Sequence, residues 1–141
     1  MGDALARDSE LPDLAEAARP WMEILRLTDW QIRWKWVRYH ELEEHKAGQI
    51  RWNQELRTAE VLILVPCDEA PDGVHRPYEE IIVHELLHIQ FSLLDEDLNT
   101  TQSTLFERAL NTTAAALVHL RGSEGDWTMP KDYWYHEVGE K

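Results

Sequence analysis

Cysteine is nearly absent: Cys67 is the only one in 141 residues. An intramolecular disulfide is therefore excluded, and a reducing compartment is the natural setting. No partner that would activate Cys67 as a nucleophile is evident, so it reads as a small packed residue. Positive charge is also scarce. Lys and Arg number 14 against 27 Asp and Glu, a formal net charge of −13. Such a surface repels phosphate backbones, which argues against a nucleic-acid partner. The one basic cluster, Arg33, Lys35 and Arg38, lies at strand spacing among tryptophans and reads as a solvated strand face. No run of roughly 18 apolar residues occurs, so no membrane span and no membrane partner are expected. Residues 1–8 lack a basic flank followed by an apolar run, so no secretory signal is expected and the protein reads as cytoplasmic.

What is present suits one domain with its own core. Residues 1–10 are polar and read as a flexible N-terminus, 11–122 as the domain, and 123–141 as a tail. From Leu11 to Leu27 apolar residues recur at helical steps (Leu14, Ala17, Ala18, Met22, Leu25), and Pro20 is expected to split this run into two short helices. Ile32, Trp34 and Trp36 then alternate with Arg33, Lys35 and Val37, the period of a half-buried strand. Second and third strands are expected over 47–52 and 59–65, the third with Val61, Ile63 and Val65 on one face. Short connections suggest an antiparallel meander. After a turn-rich loop over 66–76, Pro77, Glu79 and Glu80 suit the first turn of a helix running to about Leu94. A second long helix is expected from Thr101 or Ser103 to Gly122, with Leu105, Phe106, Ala109, Leu110, Ala114, Leu117 and Leu120 as its apolar stripe. The fold class is thus α+β: an N-terminal helix, a small, mostly antiparallel three-stranded sheet, and two long helices.

The chemistry concentrates in His84-Glu85-Leu86-Leu87-His88. Residues four apart share one helix face, so His84 and His88 can hold one Zn²⁺. Glu85 is offset by about 100° and can reach a water beside the metal without ligating it. Two hydrogen-bonded core histidines are the competing explanation. The flanks Ile81, Ile82, Val83, Ile89 and Phe91 are strongly apolar, and imidazoles set there need partners, which a metal supplies. Glu107, close to the stripe of the second long helix, is the candidate third ligand, with Asn111 one turn further on. Asp95, Glu96 and Asp97 follow His88 too closely to fold back onto it without a tight turn.

The H-E-x-x-H of His84 to His88, followed by Glu107-Arg108-Ala109-Leu110-Asn111, resembles the gluzincin metallopeptidase pattern. In size and element order the chain resembles the small single-domain members, the minigluzincins, over roughly residues 12–121. The resemblance implies a zinc peptidase with His84, His88 and Glu107 as metal ligands and Glu85 as general base. Thermolysin-like members carry an Asp four residues after the ligand Glu, where it orients a ligand histidine. Asn111 stands at that place, implying a residue that orients a ligand histidine by hydrogen bonding but without the negative charge. The metzincin pattern is absent, because Phe91 and Leu94 stand where Gly and His are required.

The expected reaction is hydrolysis of a peptide bond in a peptide or protein substrate by metal-activated water. Tyr78, His75, Tyr133 and His136 are candidate second oxyanion donors, and the third strand is a candidate edge for substrate to pair with. The reading leaves two alternatives open. One is a latent or silent zinc-binding scaffold, its cleft covered by the aromatic tail (Trp127, Tyr133, Trp134, Tyr135, His136). The other is a regulatory protease of narrow substrate range.

Overall fold

A computed structural model describes residues 11–43, 46–65, 77–92 and 97–122. Its main elements are α1 (Leu14–Ile24), β1 (Gln31–Val37), β2 (Gly48–Asn53), β3 (Thr58–Leu64), α2 (Tyr78–Gln90) and α3 (Thr100–Arg121). The arrangement is α+β: three helices and one three-stranded mixed sheet. The tail and the expected N-terminal segment lie outside the described residues.

Each helix begins where its local chemistry dictates. Asp13 caps α1, its carboxylate accepting from the backbone N–H groups of Ala15 and Glu16. Asn99 caps α3 by accepting from Gln102 N at 2.8 Å, and the Gln102 side chain accepts from Asn99 N in return. This reciprocal pair satisfies two of the donors every helix start leaves open. Gly122 ends α3 at φ +69°, a left-handed conformation that glycine adopts without a Cβ penalty.

Pro20 does not split α1. The helix runs unbroken through it. Proline there leaves the Glu16 carbonyl without its intrahelical donor. Burial of Ala18 and Trp21 on the same helix offsets that loss, at 0 % and 1 % exposure respectively.

The antiparallel meander is corrected to a mixed sheet of order β1-β3-β2. β2 and β3 form the expected antiparallel hairpin, with Gly48 opposite Ile63 and Asn53 opposite Thr58. β1 instead pairs with β3 in parallel, Gln31 opposite Thr58 through Val37 opposite Leu64. β3 is the most apolar of the three strands, with Val61, Ile63 and Leu64 buried, so the central position hides it best. Ile32, Trp34 and Trp36 pack on the core while Arg33 and Lys35 project to solvent, as their alternation requires.

α2 is the centre of the molecule. Ile82, Val83, Leu86, Leu87 and Ile89 are all buried, so apolar side chains surround most of the helix, as in a helix enclosed on several sides. It touches α1, α3, β2 and β3. Several of its polar residues, Glu79, Glu85 and His88, are buried too, and each needs a partner. Glu79 accepts from Trp21 Nε1 at 2.6 Å and lies 3.9 Å from Arg121 Nη1, joining α1, α2 and α3 near one end. Gln90 at the other end donates to the Leu25 carbonyl. That leaves His84, Glu85 and His88 in the middle.

α3 packs on α2 through Phe106, Leu110, Ala114, Leu117 and Val118. The expected stripe is thereby narrowed. Leu105 is 54 % and Leu120 79 % exposed, Ala109 is also exposed, and Val118 takes a buried place instead.

Candidate metal centre

His84 and His88 lie one turn apart on the side of α2 that faces α3. Their ring centroids are 5.0 Å apart. Their side chains are only 12 % and 11 % exposed, while Glu107, reaching in from α3, is 48 % exposed. His84 Nε2 is 2.9 Å from Glu107 Oε2, and His88 Nε2 is 3.0 Å from Glu107 Oε1. One carboxylate thus meets both imidazoles, an oxygen to each. The histidine rings are held by packing. Trp52 of β2 stacks beside His88 at 6.4 Å between centroids, and Phe106 meets it edge-on at 6.1 Å.

The three residues fit a metal ion. Their donor atoms all lie within 4.8 Å of one another. Tetrahedral zinc with ligand bonds of about 2.0–2.1 Å sets neighbouring donors roughly 3.3 Å apart. The 2.9 and 3.0 Å contacts would open, and wider separations within that 4.8 Å would close, to reach that spacing. The donor set, two imidazoles and a carboxylate, is one that zinc accepts when a fourth position is left free. His84 Nδ1 is buried with no hydrogen-bond partner among the described residues. Asn111 is half-buried one turn beyond Glu107 and does not supply that bond.

The carboxyl groups at the site differ sharply. Burial would raise Glu107, but hydrogen bonds from His84 and His88, with their charges, outweigh it and hold its carboxyl well below the usual range. Glu85 is pushed the other way. Burial raises it, the nearby histidines and Lys46 oppose that in part, and the negative Glu107 adds to it. A carboxyl held ionised suits a cation ligand, while one with raised basicity suits proton transfer.

Glu85 lies under the start of β2. A Cβ added at Gly48 would sit 2.7 Å from Glu85 Oε2 and 2.7 Å from Ile81 Cγ2. Replacing a strand glycine by alanine ordinarily helps, by about 0.5–1 kcal/mol. Here Gly48→Ala is expected to destabilise instead, by about 1–3 kcal/mol from overpacking. The midpoint of urea unfolding measures it. A second replacement, Glu85→Ala, should recover part of the loss by clearing one of the two clashes. No sequence motif marked Gly48. Its role depends on the close approach of β2 to α2.

Of the remaining candidates, Tyr78 is buried, and its ring lies 5.7 Å from Trp36. Asp97 is exposed and not among the convergent donors. His75, Tyr133, His136, Asp95, Glu96 and Cys67 lie outside the described residues. No described helix is long and apolar enough to cross a membrane. Comparison with protein-family models, with curated proteins and with solved structures gave no match for this chain.

Proposed function

We propose that this protein is a zinc-dependent peptidase. The observation that carries the reading is the convergence of His84 Nε2 and His88 Nε2 on Glu107, beside a second carboxyl, Glu85, that is 4 % exposed. His84, His88 and Glu107 would hold the ion. When bound, zinc supplies Lewis acidity and lowers the pKa of water toward about 7. Glu85, buried beside both histidines, would then be placed to receive the proton of the attacking water. It returns that proton to the leaving amine, so its two protonation states must both be reachable during turnover. Trp52 and Phe106 keep His88 in place against α3.

The expected pairing edge on β3 is not open in the observed sheet order. β3 has neighbours on both sides and offers no free edge. Among the described residues β2 has one, and it passes Glu85 at Gly48 and His88 at Trp52. Leu64 N donates to Ala47 O at 2.9 Å, so that pair is hydrogen-bonded. Antiparallel alternation then turns the backbone N–H and C=O groups of Gly48, Ile50 and Trp52 away from β3. An extended peptide added there would gain main-chain hydrogen bonds beside the site. The test is cleavage of a mixed peptide library by zinc-reconstituted protein, followed by mass spectrometry. Cleavage that stops with chelator and returns with zinc supports the proposal. A zinc-loaded protein that leaves every peptide and unfolded protein substrate intact would count for the silent scaffold.

A further inference from the structure

We infer that the outer face of α3 is a self-association surface, on which a second copy of this chain docks antiparallel about a two-fold axis between Thr112 and Thr113. The exposed face of α3 carries Leu105, Ala109, Thr112, Thr113, Ala116 and Leu120. At about 100° per residue these six fall within an arc of roughly 100°. Glu107 projects on nearly the opposite side of the helix, so pairing through this stripe leaves the metal centre open.

The stripe is palindromic in size. Reversing the stripe about its own midpoint, between Thr112 and Thr113, places Leu105 opposite Leu120, Ala109 opposite Ala116, and Thr112 opposite Thr113. A two-fold interface demands this self-complementarity, residue i meeting j and j meeting i. Small residues at the centre let two helices approach closely, while a leucine closes each end. The two leucines are also among the most exposed large apolar residues described, at 54 % and 79 %.

Charge permits the contact. A chain of net charge −13 resists meeting itself across most of its surface. Yet α3 has a single acidic residue in 22, Glu107, and it faces away. Arg108 flanks the stripe. In the paired register the two copies of Arg108 stand nine positions apart along the axis, about 13 Å. That exceeds the screening length of about 8 Å at physiological salt. The stripe is roughly 22 Å long on a helix about 10–12 Å across, a few hundred Å² per partner. This is short of the roughly 1,000 Å² total of stable complexes, so the dimer belongs to the weak, exchanging class.

Sedimentation equilibrium on the full chain tests this without reference to the metal site. The mass should rise from one chain toward two between about 10 μM and on the order of 1 mM, the range of weak association. Leu105→Glu and Leu120→Lys should each remain monomeric, while Leu56→Glu, at an exposed turn, should associate like wild type. Mixing Leu105→Glu with Leu120→Lys chains should restore dimers, because those two positions face each other. In a Cys67→Ser background, Thr112→Cys should form disulfide-linked dimers on mild oxidation and Leu56→Cys should not. A wild-type chain monomeric throughout, whether because the face is solvated or because residues 123–141 cover it, overturns the inference. So does association that the Leu105 and Leu120 variants leave unchanged, or a mixture that fails to pair.

Discussion

Zinc-loaded Glu85→Gln is expected to keep its metal and lose turnover by about 10²- to 10⁴-fold, the range that a positioned general base contributes. Gln has nearly the shape of Glu, so the room under Gly48 stays filled and the packing of α2 is undisturbed. What disappears is the ability to take a proton. Peptide cleavage rates alongside zinc content separate the two effects. A variant with full zinc and full turnover would remove Glu85 from the mechanism. The same variant carries a signature in the metal-free protein. The folded-state pKa of Glu85 is raised by burial, so its contribution is fully present below the unfolded value of about 4.3 and lost as pH rises through the folded value. Glu85→Gln escapes that loss. Its melting temperature should exceed wild type above about pH 4.3, by a margin that grows with pH. Glu107 has the opposite sign: its folded pKa is depressed, so its contribution is present above the unfolded value and lost as pH falls through the folded one. The deficit of Glu107→Gln should therefore shrink as pH falls through the acid range.

Wild-type protein reconstituted at neutral pH should carry one equivalent of zinc, His84→Ala should lose it, and Glu107→Ala should hold it more weakly. The two histidines are on one rigid helix and nearly enclosed, so they are preorganised. Removing His84 leaves a single imidazole and one carboxylate. Glu107 comes from a different helix and is half-exposed, and water can partly replace it. Its loss should still exceed the roughly 10- to 100-fold drop that follows loss of an outer-shell partner. Metal content by atomic emission, and affinity by competition with a chromogenic chelator, give both quantities. A wild-type protein without bound zinc would return His84 and His88 to the role of core histidines tied to Glu107, and the proposed peptidase would lose its centre. Full occupancy in His84→Ala would show that other groups hold the ion.

The residues brought together at the site were legible because their signals are local. His84, Glu85 and His88 depend on one helix and its 3.6-residue period, which their apolar neighbours already announced. The helix limits near Pro77 and Gly122 were legible for the same reason, since caps act within one turn, while the Asn99 cap starts α3 just ahead of the expected Thr101 or Ser103. Glu107 was readable as a carboxylate beside an apolar stripe and through the likeness of two spaced motifs, and the packing of α3 on α2 brings its carboxylate onto both imidazoles. Other features had no local signal. Alternation showed that three strands exist, but not which neighbours they take. The long-range pairing of β1 with β3 set the order, and so passed the free edge by the site from β3 to β2. The continuity of α1 through Pro20 came from burial of Ala18 and Trp21, which outweighs a local penalty. The demand for glycine at position 48 exists only because β2 crosses close to Glu85. The amino-acid sequence by itself therefore determined the elements and the chemistry carried on α2. Tertiary packing decided which side chains meet, because contacts between residues distant in the chain depend on how whole elements bury their apolar faces against one another.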